Sequence, residues 1–600
     1  LGHREVAPPQ AEEDATVPTD LSRLVGSMGR AREELGIALP HRPWLPPLPA
    51  VVTMDGLHDL LAAQAGPGGG QGEPGDGARG AEGAGPVGAV DPRARGLLPP
   101  LVLGLEDCPG EQAQKVMTWD YTCAGHLGVA GSAGSGRSTL LRGIAAEVAR
   151  TTSPEEVHVY GIDAGTGALL PCTRLPHVGA VVTRDQPERL RRLLDLLGRE
   201  VTRRQQLLAL DGLASVAEQR LAASPQERLP YLLLLIDRWD SYVASFESVD
   251  GGALVERVEL LLREGGAVGL HVVMAGDQTV CRGRMGMMLE DRLALRLPAA
   301  ENYDMVGMRP RDVPVSMPSG RAFRAGARPR EVQVGLLDAS LAGTAQVAAV
   351  HALARQASRQ WSQVPRSRCP RHVDELPVAI SLTQALALGP PPGRGSFCLA
   401  VGGDDLGLLP LRMEEVGNGV LVTGPRRSGR STALYVGALT ALDAGAQVVA
   451  VAPGRSPLRC LQGRPGVLGV LGEDAVAADL LGLIRHAPSE VLLVVDDFEF
   501  LGPDHKLAPV LEKHLKTCRD APGGVLVSCG VDEIQGLYRG LVGQVRKNRT
   551  GLLLAPRSAD DGSYLSARLP RSVGAPVPMG RGILVTAHRW TWVQVPDARP

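Results

Sequence analysis

Short apolar runs alternate with helical patterns over most of the chain from residue 96 onwards. Two of these runs are continuously apolar and end in an acidic residue: residues 232–236 precede Asp237, and residues 491–495 precede Asp496. A run of this length is typical of a strand that is buried on both faces. Strands that alternate with helices indicate a mainly parallel sheet, so the pattern predicts the α/β fold class.

The chain also contains an internal repeat. Gly131 and Gly424 each begin a glycine-rich loop, and they lie 293 residues apart. Each copy then reaches its strand-end acid and a Pro-x-Gly-Arg sequence, at 318–321 and 578–581, with 83 or 84 residues between the acid and that glycine. The spacing from loop to acid is 106 against 72 residues, so the first copy carries 34 more, which we assign to the charged helical stretch 200–221. Two homologous modules are therefore predicted.

Composition divides the chain further. Residues 66–88 hold eleven glycines and three prolines, and such a segment cannot bury enough apolar surface to become ordered. Because the chain begins with Leu1, we expect its first part to be the remnant of an upstream module. The predicted parts are this remnant with a Pro-rich connector at 1–65, a flexible linker at 66–95, module 1 at 96–345, a linker at 346–393 and module 2 at 394–600.

Both glycine-rich loops match the phosphate-binding P-loop pattern, except that arginine stands where the pattern has lysine. Glycines allow successive backbone N–H groups to point into one concavity at a helix N-terminus, which can hold a polyphosphate. The serine that follows the arginine is expected to bind Mg²⁺. The candidate nucleotide-binding residues are Gly131, Gly134, Gly136, Arg137, Ser138 and Thr139 in the first loop, and Gly424, Gly429, Arg430, Ser431 and Thr432 in the second.

The strand-end acids are candidate catalytic and metal-binding groups. An active P-loop ATPase has one acid near Mg²⁺ and a second group that orients the attacking water. Asp497 follows Asp496 and can take the second role, whereas Arg238 follows Asp237. Arginine is larger and forked, unlike the compact lysine ammonium, so we expect ATP binding with weak hydrolysis, and the second site nearer to catalysis. The candidate Mg²⁺ ligands are Ser138, Asp237, Ser431 and Asp496.

Charge and cysteine usage limit the class of protein. The 63 basic and 65 acidic side chains leave a net charge of −2, which gives no general attraction to nucleic acid or to an anionic membrane. The nine cysteines contain no Cys-x-x-Cys pair. This pattern argues against a disulfide framework and favours a reducing, cytoplasmic compartment.

Further motifs lie around both loops. They are Pro-Trp-Leu-Pro-Pro-Leu-Pro at 43–49, Tyr-Gly-Ile-Asp at 160–163, Leu-Pro-His-Val-Gly at 175–179, Ile-Asp-Arg-Trp at 236–239, Gly-Leu-His-Val-Val at 269–273 and the two Pro-x-Gly-Arg sequences. Together with the loops, they resemble the FtsK/SpoIIIE superfamily of P-loop motor ATPases, and more closely the EccC family of type VII secretion. The resemblance covers nearly the whole chain except the glycine-rich linker.

The resemblance implies two tandem RecA-like P-loop NTPase domains with mainly parallel sheets, which bind ATP and Mg²⁺. It implies the C-terminal pair of degenerate ATPase modules of a coupling protein in the cytoplasm, which contacts the membrane only through an upstream region. The implied partners are a secreted protein, recognised through its C-terminal signal peptide, and other subunits of a secretion complex, with homo-oligomerisation left open. We expect module 1, with its additional residues, to bind the peptide.

Two alternatives stay open at this point. A DNA translocase of the FtsK type would need a basic channel, and the net charge of −2 argues against nucleic acid as a partner; DNA binding is implied at the family level only. A pseudo-ATPase scaffold would bind nucleotide without hydrolysing it. The two replaced lysines favour this second alternative, so the sequence leaves ATP hydrolysis open.

Overall fold

The structure is a computed structural model. It describes residues 20–37, 45–64, 96–390, 392–404, 406–501, 505–519, 521–570, 573–574, 576–587 and 589–598. The predicted flexible linker at 66–95 lies wholly outside these residues. The predicted domain boundaries remain predictions, and the two modules are described here by their sheets.

Module 1 is built around a ten-stranded sheet. Its strands are β1 (Leu101–Cys108), β2 (Ala113–Trp119), β3 (Leu127–Ala130), β4 (Val157–Asp163), β5 (Val178–Thr183), β6 (Tyr231–Asp237), β7 (Leu270–Gly276), β8 (Asp291–Leu295), β9 (Arg321–Arg324) and β10 (Arg330–Val334). The helices before and within this part are α1 (Asp20–Glu34), α2 (Met54–Gln64), α3 (Arg137–Thr151), α4 (Pro187–Asp211), α5 (Val216–Ala222), α6 (Trp239–Phe246), α7 (Ala253–Glu264), α8 (Gly283–Met288) and α9 (Gly343–Gln360).

Module 2 repeats this architecture with a second ten-stranded sheet. Its strands are β11 (Ser396–Gly402), β12 (Gly407–Arg412), β13 (Gly419–Gly424), β14 (Gln447–Val451), β15 (Val467–Leu471), β16 (Val491–Val495), β17 (Gly524–Gly530), β18 (Gly551–Leu554), β19 (Arg581–Thr586) and β20 (Arg589–Gln594). The helices are α10 (Leu382–Leu386), α11 (Arg430–Asp443), α12 (Ala477–Ile484), α13 (Phe498–Leu501), α14 (Ala508–Thr517) and α15 (Gly540–Arg546).

The two sheets have the same strand order. It is β2-β1-β10-β9-β8-β3-β7-β6-β4-β5 in the first and β12-β11-β20-β19-β18-β13-β17-β16-β14-β15 in the second. The six strands from β8 to β5 pair in parallel, and the remaining pairs are antiparallel. The α/β fold with two tandem modules is confirmed. The antiparallel half was not predicted.

The parallel half of each sheet forms the core. All seven residues of β6 and all five of β16 are buried, as a continuous apolar run predicts for a strand covered on both faces. The helix after each loop packs on this half through its apolar face. In α3 this face contains Leu140, Leu141 and Ile144, which are at most 1% exposed.

The additional residues of the first copy form helical structure. Helix α4 is 25 residues long and is followed by α5, whereas α12 in module 2 has eight residues. The apolar side of α4 is buried, including Leu193 and Leu197. The stretch 200–221 is thus the end of a long helix, a loop and most of a short helix.

The Pro-rich connector packs against module 1. Leu48, Met54 and Leu57 form a small buried cluster with Val102 and Leu105 of β1. Residues 43–44 of the Pro-Trp-Leu motif lie outside the described residues. Among the helices of the described residues, none combines the length and the hydrophobicity that crossing a bilayer requires.

Candidate functional site: two P-loops with different ion pairs

Each P-loop connects the central strand of its sheet to a helix. In module 1, β3 ends at Ala130 and α3 begins at Arg137; in module 2, β13 ends at Gly424 and α11 begins at Arg430. The residue before each helix is a glycine with positive φ, +113° at Gly136 and +105° at Gly429. Residues that have a side chain rarely adopt such backbone angles, so the glycine allows the loop to turn directly into the helix N-terminus.

The first loop fits a polyphosphate. A Cβ atom at Gly131 would lie 2.4 Å from the Ser135 hydroxyl, so the close approach requires glycine. The Ser135 hydroxyl is buried and has no hydrogen-bond partner among the described residues. Free donors at a helix N-terminus are suited to phosphate oxygens. The loop lines a cavity of about 360 Å³, and Gly134, Gly136, Arg137, Ser138 and Thr139 are among its lining residues.

The predicted metal ligands of module 1 lie together. The Ser138 hydroxyl donates a hydrogen bond of 2.6 Å to Oδ2 of Asp237. Asp237 is 1% exposed, and its Oδ1 has no hydrogen-bond partner among the described residues. Burial raises the pKa of Asp237, and the serine hydrogen bond opposes that shift. A hydroxyl and a carboxylate at one point are oxygen ligands of the kind that Mg²⁺ prefers, so these residues fit the ion.

Arg137 extends towards an acid that the sequence reasoning did not select. Its Nη1 lies 3.9 Å from Oδ1 of Asp240, and burial lowers the pKa of its guanidinium. Asp240 also pairs with Arg238 at 3.3 Å. The sequence pattern pointed only to the residue directly after Asp237, whereas Asp240 reaches the loop because it lies in the first turn of α6.

The arginine of the second loop has much closer partners. Nη2 of Arg430 donates to Oδ1 of Asp497 at 2.7 Å and to Oε1 of Glu499 at 3.1 Å. Arg430 is 8% exposed, and its Nη1 has no hydrogen-bond partner among the described residues. Glu499 was missed by the sequence reasoning; its place two residues after Asp497 was the available signal. We call these three side chains the Arg430 triad.

The acid that ends β16 is held by serines from two other elements. Asp496 accepts hydrogen bonds from Ser456 at 2.6 Å and from Ser528 at 2.7 Å. Within the described residues, no hydrogen bond joins it to Ser431, in contrast to Ser138 and Asp237. Burial and the neighbouring Asp496 raise the pKa of Asp497 to about 6, although Arg430 opposes the shift. The predicted residues are therefore in one region, but they contact one another differently from those of module 1.

The glycine-rich loop, the helix behind it and the acid on the adjacent strand define the class of protein: tandem P-loop NTPase modules. Residues 104–338 match the model of the FtsK/SpoIIIE family. This match agrees with the resemblance that the sequence motifs carry.

Relatives and solved structures agree with this assignment. The type VII secretion system protein EssC of Staphylococcus aureus is 32% identical over 212 residues, which are 35% of this chain and 14% of EssC. The solved ATPases 2 and 3 of Geobacillus thermodenitrificans EssC have a TM-score of 0.67 at 17% identity, covering 92% of this chain and 100% of that one. ATPases 2 and 3 of Thermomonospora curvata EccC, in complex with a signal sequence peptide, have a TM-score of 0.58 at 22% identity, covering 93% and 100%.

These likenesses have a defined extent. The chain spans only 14% of the length of the EssC relative, and the identity to both solved structures is below 25%, so they show the shared fold. The chain thus resembles the ATPase domains of type VII secretion proteins of the EssC and EccC kind. Nucleotide and Mg²⁺ binding are implied by the P-loop family.

Proposed function

We propose that the two modules bind ATP with Mg²⁺ as degenerate ATPase modules of a type VII secretion-like coupling protein, and that hydrolysis is slow. The observation that carries the proposal is the pairing of Ser138 with Asp237 at 2.6 Å beside a glycine-rich loop and its cavity. In this proposal the loop amides hold the phosphates, and Ser138, Asp237, Ser431 and Asp496 hold the ion. Arg137, Arg430, Thr139 and Thr432 contact the phosphates.

The second module is proposed to be nearer to catalysis. Asp496 and Asp497 supply two acids there, and a pKa of about 6 for Asp497 is near the value that suits a general base. In the structure Arg430 donates a hydrogen bond to Asp497. A bound γ-phosphate would offer Arg430 another anion, and Asp497 could then orient a water molecule. In module 1, Arg238 follows Asp237, so Asp237 is left with the metal role.

The proposed cargo is a secreted protein recognised through its C-terminal signal peptide. Two observations support this: the likeness to EssC and EccC, and the signal sequence peptide that the solved EccC domains carry. We place the peptide site on module 1, where α4 and α5 add surface that module 2 does not have. The other partners are subunits of a secretion complex at the cytoplasmic side of the membrane, which an upstream region would anchor.

A non-hydrolysing scaffold is the second candidate function, and the Arg430 triad favours it. An arginine whose Nη2 is bound to two acids at 2.7 and 3.1 Å has only its remaining N–H donors to offer a phosphate unless it exchanges these partners. If that exchange does not occur, module 2 is a structural partner of module 1. Steady-state phosphate release from Mg·ATP separates the candidates, because the scaffold releases none.

Nucleotide binding is tested with the full chain by calorimetric titration of Mg·ATPγS. Ser138→Ala should weaken Mg²⁺-dependent binding at one of two sites, since it removes a metal ligand. The matched control is Ser245→Ala, which removes a helix hydroxyl bonded only to the Ser241 carbonyl. Equal affinity of the wild type and of Ser138→Ala, with and without Mg²⁺, would contradict the metal assignment.

The peptide site is tested with a photo-crosslinkable C-terminal peptide of a secreted substrate. Crosslinks should map to module 1, on or near α4 and α5. Crosslinks confined to residues 394–600 would show that the peptide binds module 2 instead.

A further inference from the structure

A turn built from Pro-x-Gly-Arg contacts the P-loop backbone in both modules. The N–H of Gly320 donates to the Ser135 carbonyl at 2.9 Å, and the N–H of Gly580 donates to the Ser428 carbonyl at 3.0 Å. Both glycines have a φ of +81°, and a Cβ at either would lie 2.8 Å from a glutamine side chain. The turn therefore lies directly against the loop, and this contact requires glycine.

The arginine of the same turn holds a chain segment on its other side. Nη2 of Arg321 donates to the carbonyls of Leu48 and Pro49 at 2.7 and 3.2 Å. In module 2, Nη2 of Arg581 donates to the carbonyls of Leu376 and Pro377 at 3.0 and 2.9 Å. We call these two dipeptides the Leu-Pro segments; each precedes the first strand of its module.

A buried glutamine completes the arrangement in both copies. The Nε of Arg321 donates to Gln333 at 2.9 Å, and Gln333 donates to the Ser319 carbonyl at 3.1 Å. In module 2, the Nε of Arg581 donates to Gln594 at 3.0 Å, and Gln594 donates to the Met579 carbonyl at 2.8 Å. Gln333 and Gln594 are 1% and 2% exposed. Two copies separated by 260 residues thus keep the same set of contacts.

The Leu-Pro segments are docked by packing as well. Leu48 and Leu376 are 5% and 4% exposed. Five residues after each leucine, Thr53 pairs with Leu336 and Ser381 pairs with Asp597 as parallel bridges. A helix follows at once in both cases, α2 and α10. The docked segment is therefore joined to the turn through the arginine side chain, and the turn is joined to the P-loop through a backbone hydrogen bond.

We propose that the Pro-x-Gly-Arg turn couples each P-loop to its Leu-Pro segment, so that segment docking and nucleotide binding strengthen each other. The inference rests on the proposed nucleotide binding. If the segment leaves, the arginine loses two carbonyl acceptors at a position that is buried for Arg321 and half-buried for Arg581, which is costly, and the turn that supports the loop is released. Arg321 and Arg581 are positioning residues in this scheme, because they act on the loop through the glycine beside them.

In module 2 this coupling extends to module 1. Helix α4 contacts the same connecting segment: Arg189 donates to the Val373 carbonyl at 2.6 Å and Arg192 to the Asp374 carbonyl at 2.7 Å. Arg581 donates a hydrogen bond to the same segment two residues further on, at the Leu376 carbonyl. The second P-loop is thus joined to a helix of module 1 through one short segment, so a shift of α4 would reach Ser428.

The coupling should be stronger in module 2. Arg321 also forms an ion pair with Glu331, which would remain after its segment leaves. At the corresponding place on β20, module 2 has Trp592, and Arg581 has no ion pair among the described residues. Undocking therefore leaves Arg581 with fewer partners than Arg321.

The test compares two variants of the full chain, one with its substitution in each turn. Hydrogen–deuterium exchange is measured while the chain is titrated with Mg·ATPγS. Peptides covering 131–138 and 424–431 report the two loops separately. Arg581→Gln should weaken binding at the second loop by about fivefold or more, a typical coupling between sites, and leave the first loop unchanged. Arg321→Gln should do the reverse with a smaller factor. The control Arg568→Gln changes an exposed arginine of module 2 and should alter neither loop.

Two further readouts distinguish coupling from general damage. Saturating nucleotide should slow exchange at 376–381 in the wild type but not in Arg581→Gln. Leu376→Ala undocks the segment without touching the arginine, and it tests the same contact should Arg581→Gln fail to fold. The double variant Arg581→Gln/Leu376→Ala should bind nucleotide no more weakly than the single variant with the lower affinity, since both substitutions remove the same coupling.

The outcomes separate the inference from the function on which it rests. Unchanged affinity at both loops in both arginine variants, in a chain whose wild type binds nucleotide, would overturn the coupling and leave the proposed function intact. Nucleotide protection absent from both loops of the wild type would overturn the proposed function as well.

Discussion

The two P-loop sites have one fold and nearly one loop sequence, but their arginines have different partners. Arg137 has one acid at 3.9 Å, whereas Arg430 binds two acids at 2.7 and 3.1 Å. The strand-end acids differ in the opposite sense: Asp237 contacts the loop serine, and Asp496 contacts serines of other strands and turns. In the proposed function, the site of module 1 (site 1) binds Mg·ATP, and the site of module 2 (site 2) has the acids for hydrolysis, which its own arginine holds in the structure.

This comparison shows that replacement of the P-loop lysine has no single consequence. An arginine that has only a distant acid keeps its charge available for phosphate. In the proposed function, an arginine inside an ion triad would exchange its two acids for phosphate when nucleotide binds, and it would free a carboxylate in doing so. The same substitution can therefore produce a binding site in one module and a gated site in the other.

The largest expected effect concerns the assignment of hydrolysis to site 2. Asp497→Asn should lower steady-state phosphate release by about 100-fold, the order that loss of a general base produces, and leave Mg·ATPγS binding intact. Asp237→Asn should weaken nucleotide binding at site 1 and change the rate much less. The matched control is Asp474→Asn, an exposed acid of module 2. Unchanged release in Asp497→Asn together with lost release in Asp237→Asn would reverse the assignment.

The pH dependence of the rate should report the same carboxylate. Asp497 has its pKa raised to about 6, so it is protonated below that pH and can accept a proton only above it. The kcat/KM for phosphate release, which reports the enzyme before nucleotide binds, should rise with pH through about 6 and be about tenfold lower at pH 5 than on its plateau. Measurements on the wild type and on Asp497→Asn check this: the residual rate of the variant should lose the step. A step that persists in the variant would assign it to another group.

A smaller effect is expected when lysine is restored. Arg430→Lys should raise phosphate release about fivefold, equivalent to about 1 kcal/mol of transition-state stabilisation, because a compact ammonium leaves the triad and reaches the phosphates more easily. Arg137→Lys should change the rate less, since site 1 has no acid beside Asp237 to orient water. Each variant serves as the control for the other. A larger gain from Arg137→Lys would indicate that site 1 limits turnover.

The smallest effect concerns the serines that hold Asp496. Ser456→Ala removes one donor to this carboxylate, so Mg²⁺ should bind site 2 about threefold more tightly, the value of one modest hydrogen bond. The measurement is a Mg²⁺ titration of nucleotide-dependent exchange at 424–431. Ser558→Ala is the control, because both serines accept a hydrogen bond from the amide two residues on, which is the amide of Asp560 for Ser558. Equal Mg²⁺ affinity in Ser456→Ala and wild type would show that the serine does not compete with the ion.

Much of the fold and part of the site followed from the sequence alone. The structure of residues 131–138 and 424–431 could be predicted from local sequence, because the spacing of glycines and the preceding apolar run determine strand, loop and helix together. The strand-end acids were found for the same reason: a continuous apolar run places Asp237 and Asp496 at the carboxyl edge of a parallel sheet. Spacing from acid to turn also identified the two modules.

The partners of these residues were decided only by the tertiary structure. Asp240 and Glu499 reach the loop arginines across about 100 and 70 residues of chain because helices begin beside the loops, and no local pattern encodes such a contact. Ser456, Ser528 and the Leu-Pro segments were likewise assigned by packing. Short-range periodicity specifies which element a residue belongs to, whereas the ion pair or hydrogen bond that its side chain makes depends on which distant elements the core brings to the same edge of the sheet.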